Sequence, residues 1–251
     1  MSQRNPAMRE DLFRSQGWGQ EQTNQGAMTL RGTTQKLLIL LAIVIATGTV
    51  GYAIPIMPLM VLSIVATIGL GLLIGFKPHL APGLSCVYAV AQGYAVGVIS
   101  KITSEELAKT PIGSTALLVA VMGTLFALGI TLFLYAKRIV VLSDTVKNVI
   151  IGATVAVGLT YLTMFALSFI VPGFVGGLAI FGGGPIGIGF SLVMIGLATM
   201  NFFLDYEMIE TGVQNRAPAY MEWYGAFALT SSLVWLYIEV LRLISKLRSS
   251  E

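Results

Sequence analysis

From Lys36 onward the chain reads as long apolar runs separated by short polar breaks. The first run covers about 36–54 and stops at Pro55, and the second covers 57–76, stopped by Phe76-Lys77-Pro78-His79. The third spans 83–100, and the fourth 114–136, closed by Ala136-Lys137-Arg138. The fifth spans 146–171 and ends at Val171-Pro172-Gly173; the sixth covers about 186–205 and the seventh about 223–246. Each approaches the ~20 residues a helix needs to cross a bilayer. The runs are continuously apolar and lack the period-two alternation of a lipid-facing barrel strand. The pattern predicts an all-α integral membrane protein, a seven-transmembrane-helix bundle over 34–251. Residues 1–33, rich in Gln, Asn, Gly, Ser and Arg, predict a disordered cytoplasmic arm. With no apolar stretch near Met1, no cleavable signal peptide is expected. The connector 173–187, with Gly182-Gly183-Gly184-Pro185, predicts a flexible loop or re-entrant turn. It is no phosphate loop, because no Lys-Ser/Thr follows the glycines.

Composition agrees with a lipid environment. The 251 residues are 55% hydrophobic and only 11% charged, where soluble domains carry roughly 25% charged residues. The net charge of +3 comes from residues flanking the spans, so lipids and not nucleic acid are the expected partners. With the N-terminus cytoplasmic, Arg4, Arg9, Arg14, Arg31, Lys36, Lys77, Lys137, Arg138, Lys147 and Arg216 lie inside. Lys101, Lys109, Arg242, Lys246 and Arg248 then lie outside, a bias of ten to five. This orientation places the C-terminus of a multi-pass membrane protein outside. Gly71 and Gly75 in the second span, and Gly93 and Gly97 in the third, have the four-residue spacing that lets helix backbones approach in lipid. Trp223-Tyr224 at the start of the seventh span suits an interfacial aromatic belt.

Catalytic chemistry is scarce. The single histidine, His79, and single cysteine, Cys86, allow neither a His/Cys metal cluster nor a Ser-His or Cys-His dyad within the membrane. Cys86 is expected to be a buried structural thiol. The chain is therefore expected not to be an enzyme and to carry no resident cofactor. Two acids stand out instead. Glu239 lies inside the seventh span, in Trp235-Leu236-Tyr237-Ile238-Glu239-Val240-Leu241-Arg242. An ionised carboxylate in hydrocarbon costs about 3 kcal/mol on insertion scales, so it needs a partner, a proton or a wet cavity. Arg242, three residues on and on the same helix face, offers a local ion pair; a gate or ion-site acid is the alternative. Asp205 closes the sixth run in Asn201-Phe202-Phe203-Leu204-Asp205-Tyr206, where a solvated helix-end carboxylate is the simplest reading.

The segment from Asp205 to Leu247 resembles the Bax-inhibitor (transmembrane Bax inhibitor motif) family, in its bacterial YccA-like branch. The likeness is carried by Leu204-Asp205-Tyr206-Glu207-Met208-Ile209-Glu210, Asn215-Arg216-Ala217-Pro218, Met221-Glu222-Trp223-Tyr224 and Trp235 through Leu243. Asn5-Pro6, the seven spans and Lys77-Pro78 agree with it. The resemblance implies that Asp205 and Glu239 form a paired-acid, pH-sensitive switch that Lys77 can lock. It implies either a Ca²⁺ leak channel or a regulator of stress responses or of a quality-control protease. Many relatives carry aspartate where this chain has Glu239. The ~34 residues between the acids imply that the seventh span begins with a turn or two in the cytoplasm.

Two carboxyls within hydrogen-bond reach share one proton, since both cannot ionise cheaply. Protonated, the pair would tie spans six and seven together; ionised, it would offer Asp205 and Glu239 as oxygen ligands for a transient Ca²⁺. The first expectation is thus a pH-sensitive cation (Ca²⁺) leak gated by these acids. The alternative is a non-conducting regulator that captures a membrane protease or other membrane protein, which the N-terminal arm would suit.

Overall fold

Thr29 opens the first helix: its hydroxyl accepts from Gly32 N–H at 3.0 Å, a side-chain cap of a free N-terminal donor. The computed structural model describes residues 26–108, 115–170 and 182–249. Among these, seven helices are long and apolar enough to cross a membrane. They are α1 (Leu30–Ala53), α2 (Met57–Phe76), α3 (Ala81–Leu107), α4 (Ala116–Ala136), α5 (Asp144–Ile170), α6 (Pro185–Gln214) and α7 (Met221–Ser249), with a 3₁₀ turn, Pro78–Leu80, between α2 and α3. Proline within the first turn of α2 and at the start of α6 costs no hydrogen bond, because those N–H groups have no helical acceptor. The chain is an all-α, multi-pass membrane protein, as its apolar runs predict. Large apolar side chains such as Leu62, Phe76, Leu118 and Phe126 are accordingly exposed, facing where lipid would lie.

Several boundaries differ from the sequence expectation. α1 begins at Leu30 and not near 36, so the last residues assigned to the arm are helical. Residues 26–28 are held as well: Met28 N–H donates to Ala217 O at 2.7 Å and Ala219 N–H to Gly26 O at 3.2 Å. Residues 1–25 of the expected arm, and 171–181 of the expected connector, lie outside the described residues. α6 runs nine residues past Asp205, so that acid stands within a helix and not at its end. The polar tail Tyr206–Gln214 continues the helix because its apolar members Tyr206 and Ile209 are buried. Arg216, at φ 50°, then turns the chain in the left-handed region.

The described chain falls into two compact units. The first comprises residues up to Val98 with Asp205–Thr230; the second comprises Ile99–Leu204 with Ser231–Glu251. In the first unit α1 crosses α3 at glycines. A Cβ on Gly97 would meet the Gly48 carbonyl carbon at 2.8 Å and its Cα at 2.9 Å. One on Gly93 would stand 2.6 Å from Val44 O. The Gly93/Gly97 spacing is therefore a backbone crossing. In the second span, Gly71 makes only ordinary contact with Tyr88, at 3.5 Å, and Gly75 meets nothing within 4 Å. The buried Tyr94 hydroxyl donates to Ile54 O at 2.9 Å and accepts from Ile56 N–H at 3.1 Å, fixing the turn between α1 and α2. Trp223, Tyr224 and Phe227 pack against Ile74, Ala81 and Tyr88, so the aromatic pair at the start of α7 points into a core and not only into an interfacial belt.

Glu222 closes this unit. Its carboxylate accepts from Thr29 N–H and the Thr29 hydroxyl, both at 2.8 Å, and pairs with Lys36, whose ammonium lies 5.6 Å from the Trp223 ring centre. A carboxylate at the N-terminus of α1 also meets the positive end of the helix dipole. Glu222→Ala is expected to cost about 2–3 kcal/mol, because it strands Thr29 N–H and Lys36 together. Glu222→Gln should cost less, since its amide oxygen can still accept from Thr29. Thermal unfolding in detergent measures both, and an alanine variant that melts with wild type would assign these contacts no net stability.

Candidate functional site

In the second unit, α7 carries Glu239 with its side chain fully buried. The carboxylate is held through one oxygen. Oε1 accepts from Arg242 Nη1 at 2.7 Å and from the Tyr161 hydroxyl of α5 at 3.0 Å. Arg242 Nη1 also donates to the Tyr161 oxygen at 2.7 Å, and its guanidinium stands 5.3 Å from that ring centre. The three groups form a closed triangle of hydrogen bonds. The predicted (i, i+3) ion pair between Glu239 and Arg242 is thus present, with only 27% of the Arg242 side chain exposed.

The other oxygen differs. Oε2 is buried and accepts no hydrogen bond among the described residues. Trp235 Nε1, one turn earlier on the same face of α7, is likewise buried with no acceptor among them.

The surroundings add cationic charge. Lys246 is 4% exposed and donates to Gly187 O and to the Ser191 hydroxyl, both at 2.9 Å, tying the end of α7 to the start of α6. It lies within electrostatic reach of both Glu239 and Arg242. Ser100 and Tyr237 share a hydrogen bond of 2.8 Å, and Asn201 Nδ2 donates to the Thr154 hydroxyl at 2.9 Å. These bonds pin α3 to α7 and α6 to α5 around the acid.

Asp205 belongs to the first unit and Glu239 to the second. Asp205 is half-buried on α6, within electrostatic reach of the Tyr224 hydroxyl. Lys77 caps the C-terminus of α2, donating its N–H to Leu73 O at 2.9 Å, and its side chain is exposed. Among the described residues no three His, Cys, Asp or Glu side chains come together as a metal cluster. A Ca²⁺ ion at either acid would therefore depend on neutral oxygens for the rest of its shell.

Tyr161, Lys246 and Glu222 were not singled out as site residues from the sequence. The signal for Tyr161 was weak: one phenol within an apolar run, 78 residues from the acid that it serves. Lys246 read as a basic residue flanking a span, whereas the structure turns it inward. Neither the curated proteins nor the solved structures yield a match to this chain. A family model, Bax inhibitor 1 like, matches residues 5–249. Seven apolar helices, an acid held within the last of them, and a family match over nearly the whole sequence agree: the chain belongs to the Bax inhibitor 1 like family.

Proposed function

We propose that the protein is a pH-sensitive cation leak, with Ca²⁺ as its cargo and Glu239 as the acid that registers pH. One observation carries the reading: a fully buried carboxyl in an apolar span, bonded to Arg242 and Tyr161 through Oε1, with no hydrogen bond to Oε2 among the described residues. Asp205 is its partner in the switch through the resemblance described above, and Lys77 the charge that can lock it. Protonation removes negative charge from the site. Ionisation restores it and favours a hard cation over a proton.

Ca²⁺ flux into proteoliposomes containing only this protein, followed between about pH 5 and 8, tests the reading. Glu239→Gln and Asp205→Asn are each expected to reduce the pH dependence of the rate to less than about twofold across that range, since neither amide titrates. Lys77→Ala should move the response to higher pH, because it removes a charge that favours ionisation. Amide variants that conduct with an unchanged pH profile would overturn the switch.

The Glu239–Arg242 pair supports a second reading, a non-conducting regulator that binds a quality-control protease or another membrane protein. A closed ion pair of 2.7 Å is what a purely structural acid would show. Absence of flux in the protein-only liposomes, with capture of a membrane protease that is lost on deleting residues 1–25, would favour it.

The proposed orientation keeps the N-terminus in the cytoplasm and the C-terminus outside a bacterial inner membrane. Arg242 and Lys246, two of the five basic residues on the far side, are engaged by Glu239 and by Gly187 and Ser191. They therefore count less as loop charges opposing the inside bias. An alkaline phosphatase fused after Glu251 should be active; an inactive fusion, with an active cytoplasmic reporter at the same point, reverses the orientation.

A further inference from the structure

Hydroxyls within the spans mostly follow one rule. Those of Thr124, Thr160, Thr199 and Thr230 each donate to the backbone carbonyl four residues earlier, at 2.7–2.8 Å. This return bond is available to any helical Ser or Thr. Two hydroxyls of the first unit make no such bond at all. Thr67 Oγ1 on α2 and Ser85 Oγ on α3 are buried and make no hydrogen bond among the described residues, and neither does the Gln92 amide oxygen on α3. Ser85 is 0% exposed and Gln92 7%.

Their placement is not scattered. Ser85 and Gln92 are seven residues apart, two turns along one stripe of α3, or about 10 Å. Tyr88 lies between them on that stripe and touches α2 at Gly71, where a Cβ would stand 3.5 Å from its ring. α2 and α3 form an antiparallel hairpin closed by Pro78–Leu80. One turn from the Gly71–Tyr88 contact, away from the closing turn, lies Thr67 on α2 and Gln92 on α3. The two are therefore level across the hairpin. Ser85 continues the line on the other side of Tyr88. Three buried oxygens without donors among the described residues, aligned on facing helices in an apolar protein, carry an uncompensated desolvation cost unless a mobile polar species meets them.

We propose that Thr67, Ser85 and Gln92 line a water-bearing file between α2 and α3, narrowed where Tyr88 meets Gly71, through which a hydrated hard cation passes. The lining is neutral oxygen only: two hydroxyls and one amide carbonyl. Such ligands replace part of a hydration shell without holding the ion tightly, which conduction requires. The cation part rests on the leak reading above; the water-bearing part does not.

The test uses the full chain in proteoliposomes with Cys86→Ala as background. Thr67→Cys, Ser85→Cys and Gln92→Cys are each treated with the small water-soluble cation methanethiosulfonate ethylammonium, with Leu40→Cys as the buried apolar control. Labelling at the three positions should run at least about tenfold faster than at Leu40→Cys, because the thiolate needs water to form and to be reached. In the Cys86-intact protein, Gln92→Leu and Thr67→Val should each cut Ca²⁺ flux at least about tenfold while the protein remains folded. Labelling no faster than the control overturns the file. Full flux from a folded Gln92→Leu variant that melts above wild type also overturns it, and makes these oxygens purely structural. Fast labelling in a wild-type protein that conducts nothing overturns the leak and its cation, and supports the water-bearing file alone.

Discussion

Replacing Arg242 with alanine is expected to destabilise the protein by about 3 kcal/mol, more than any other single loss of charge at the site. The variant leaves the fully buried Glu239 carboxylate with Tyr161 as its one hydrogen-bond donor. Breaking a buried pair usually costs about 3–5 kcal/mol, and the partial exposure of Arg242 places this one at the lower end. Lys246 cannot readily replace it, because its ammonium is committed to Gly187 O and Ser191. Glu239→Gln should cost less: the amide oxygen still accepts from Tyr161 and Arg242, and the guanidinium retains access to water. The double variant Arg242→Ala/Glu239→Gln should therefore melt above Arg242→Ala alone. Thermal unfolding in detergent, completed as a double-mutant cycle, measures the coupling. If Arg242→Ala melts with wild type and the cycle shows no coupling, the ion pair is not what holds Glu239.

Gly97→Leu is expected to abolish the folded protein, at a cost above about 4 kcal/mol. The added Cβ would stand 2.8–2.9 Å from the Gly48 carbonyl carbon and Cα and closer still to its oxygen, and a main chain cannot swing aside as a side-chain tip can. α1 would have to leave α3, taking with it the backbone contacts of Gly51 with Tyr94 and of Val44 with Gly93. Gly75→Leu is the matched control. It introduces the same side chain into an apolar helix where nothing lies within 4 Å, and should change stability by less than about 1 kcal/mol. Size-exclusion profiles and yield in detergent separate the two. Comparable behaviour of both variants would show that the α1–α3 crossing does not govern folding.

These two sites differ in how far the sequence exposes them. The Glu239–Arg242 pair follows from helix geometry alone, because residues three apart share a face. Glycine spacing, by contrast, is ambiguous. Gly71/Gly75 and Gly93/Gly97 have the same pattern, yet only the latter meets another backbone, because a spacing says which face is smooth and not what lies against it. The same ambiguity misplaced Asp205. The apolar run ends there, but the helix continues to Gln214 because Tyr206 and Ile209 find a buried face in the first unit. The start of α1 shows the converse. Residues 26–33 are polar enough to read as part of an arm, yet Thr29 caps a helix and Glu222 anchors it.

By itself the sequence determined the all-α class, the seven spans to within a few residues at most of their ends, the family, and the oddity of an acid within the seventh span. Each of these depends on local quantities: the length of an apolar run, the residue that breaks it, the cost of one charge in hydrocarbon. Only the tertiary structure decided how Glu239 is satisfied, that Lys246 turns inward, and that Thr67, Ser85 and Gln92 lack donors among the described residues. Those outcomes depend on partners 55 to 78 residues away in sequence, or on their absence. In an apolar protein every buried polar atom must find such a partner through packing, which no single helix supplies.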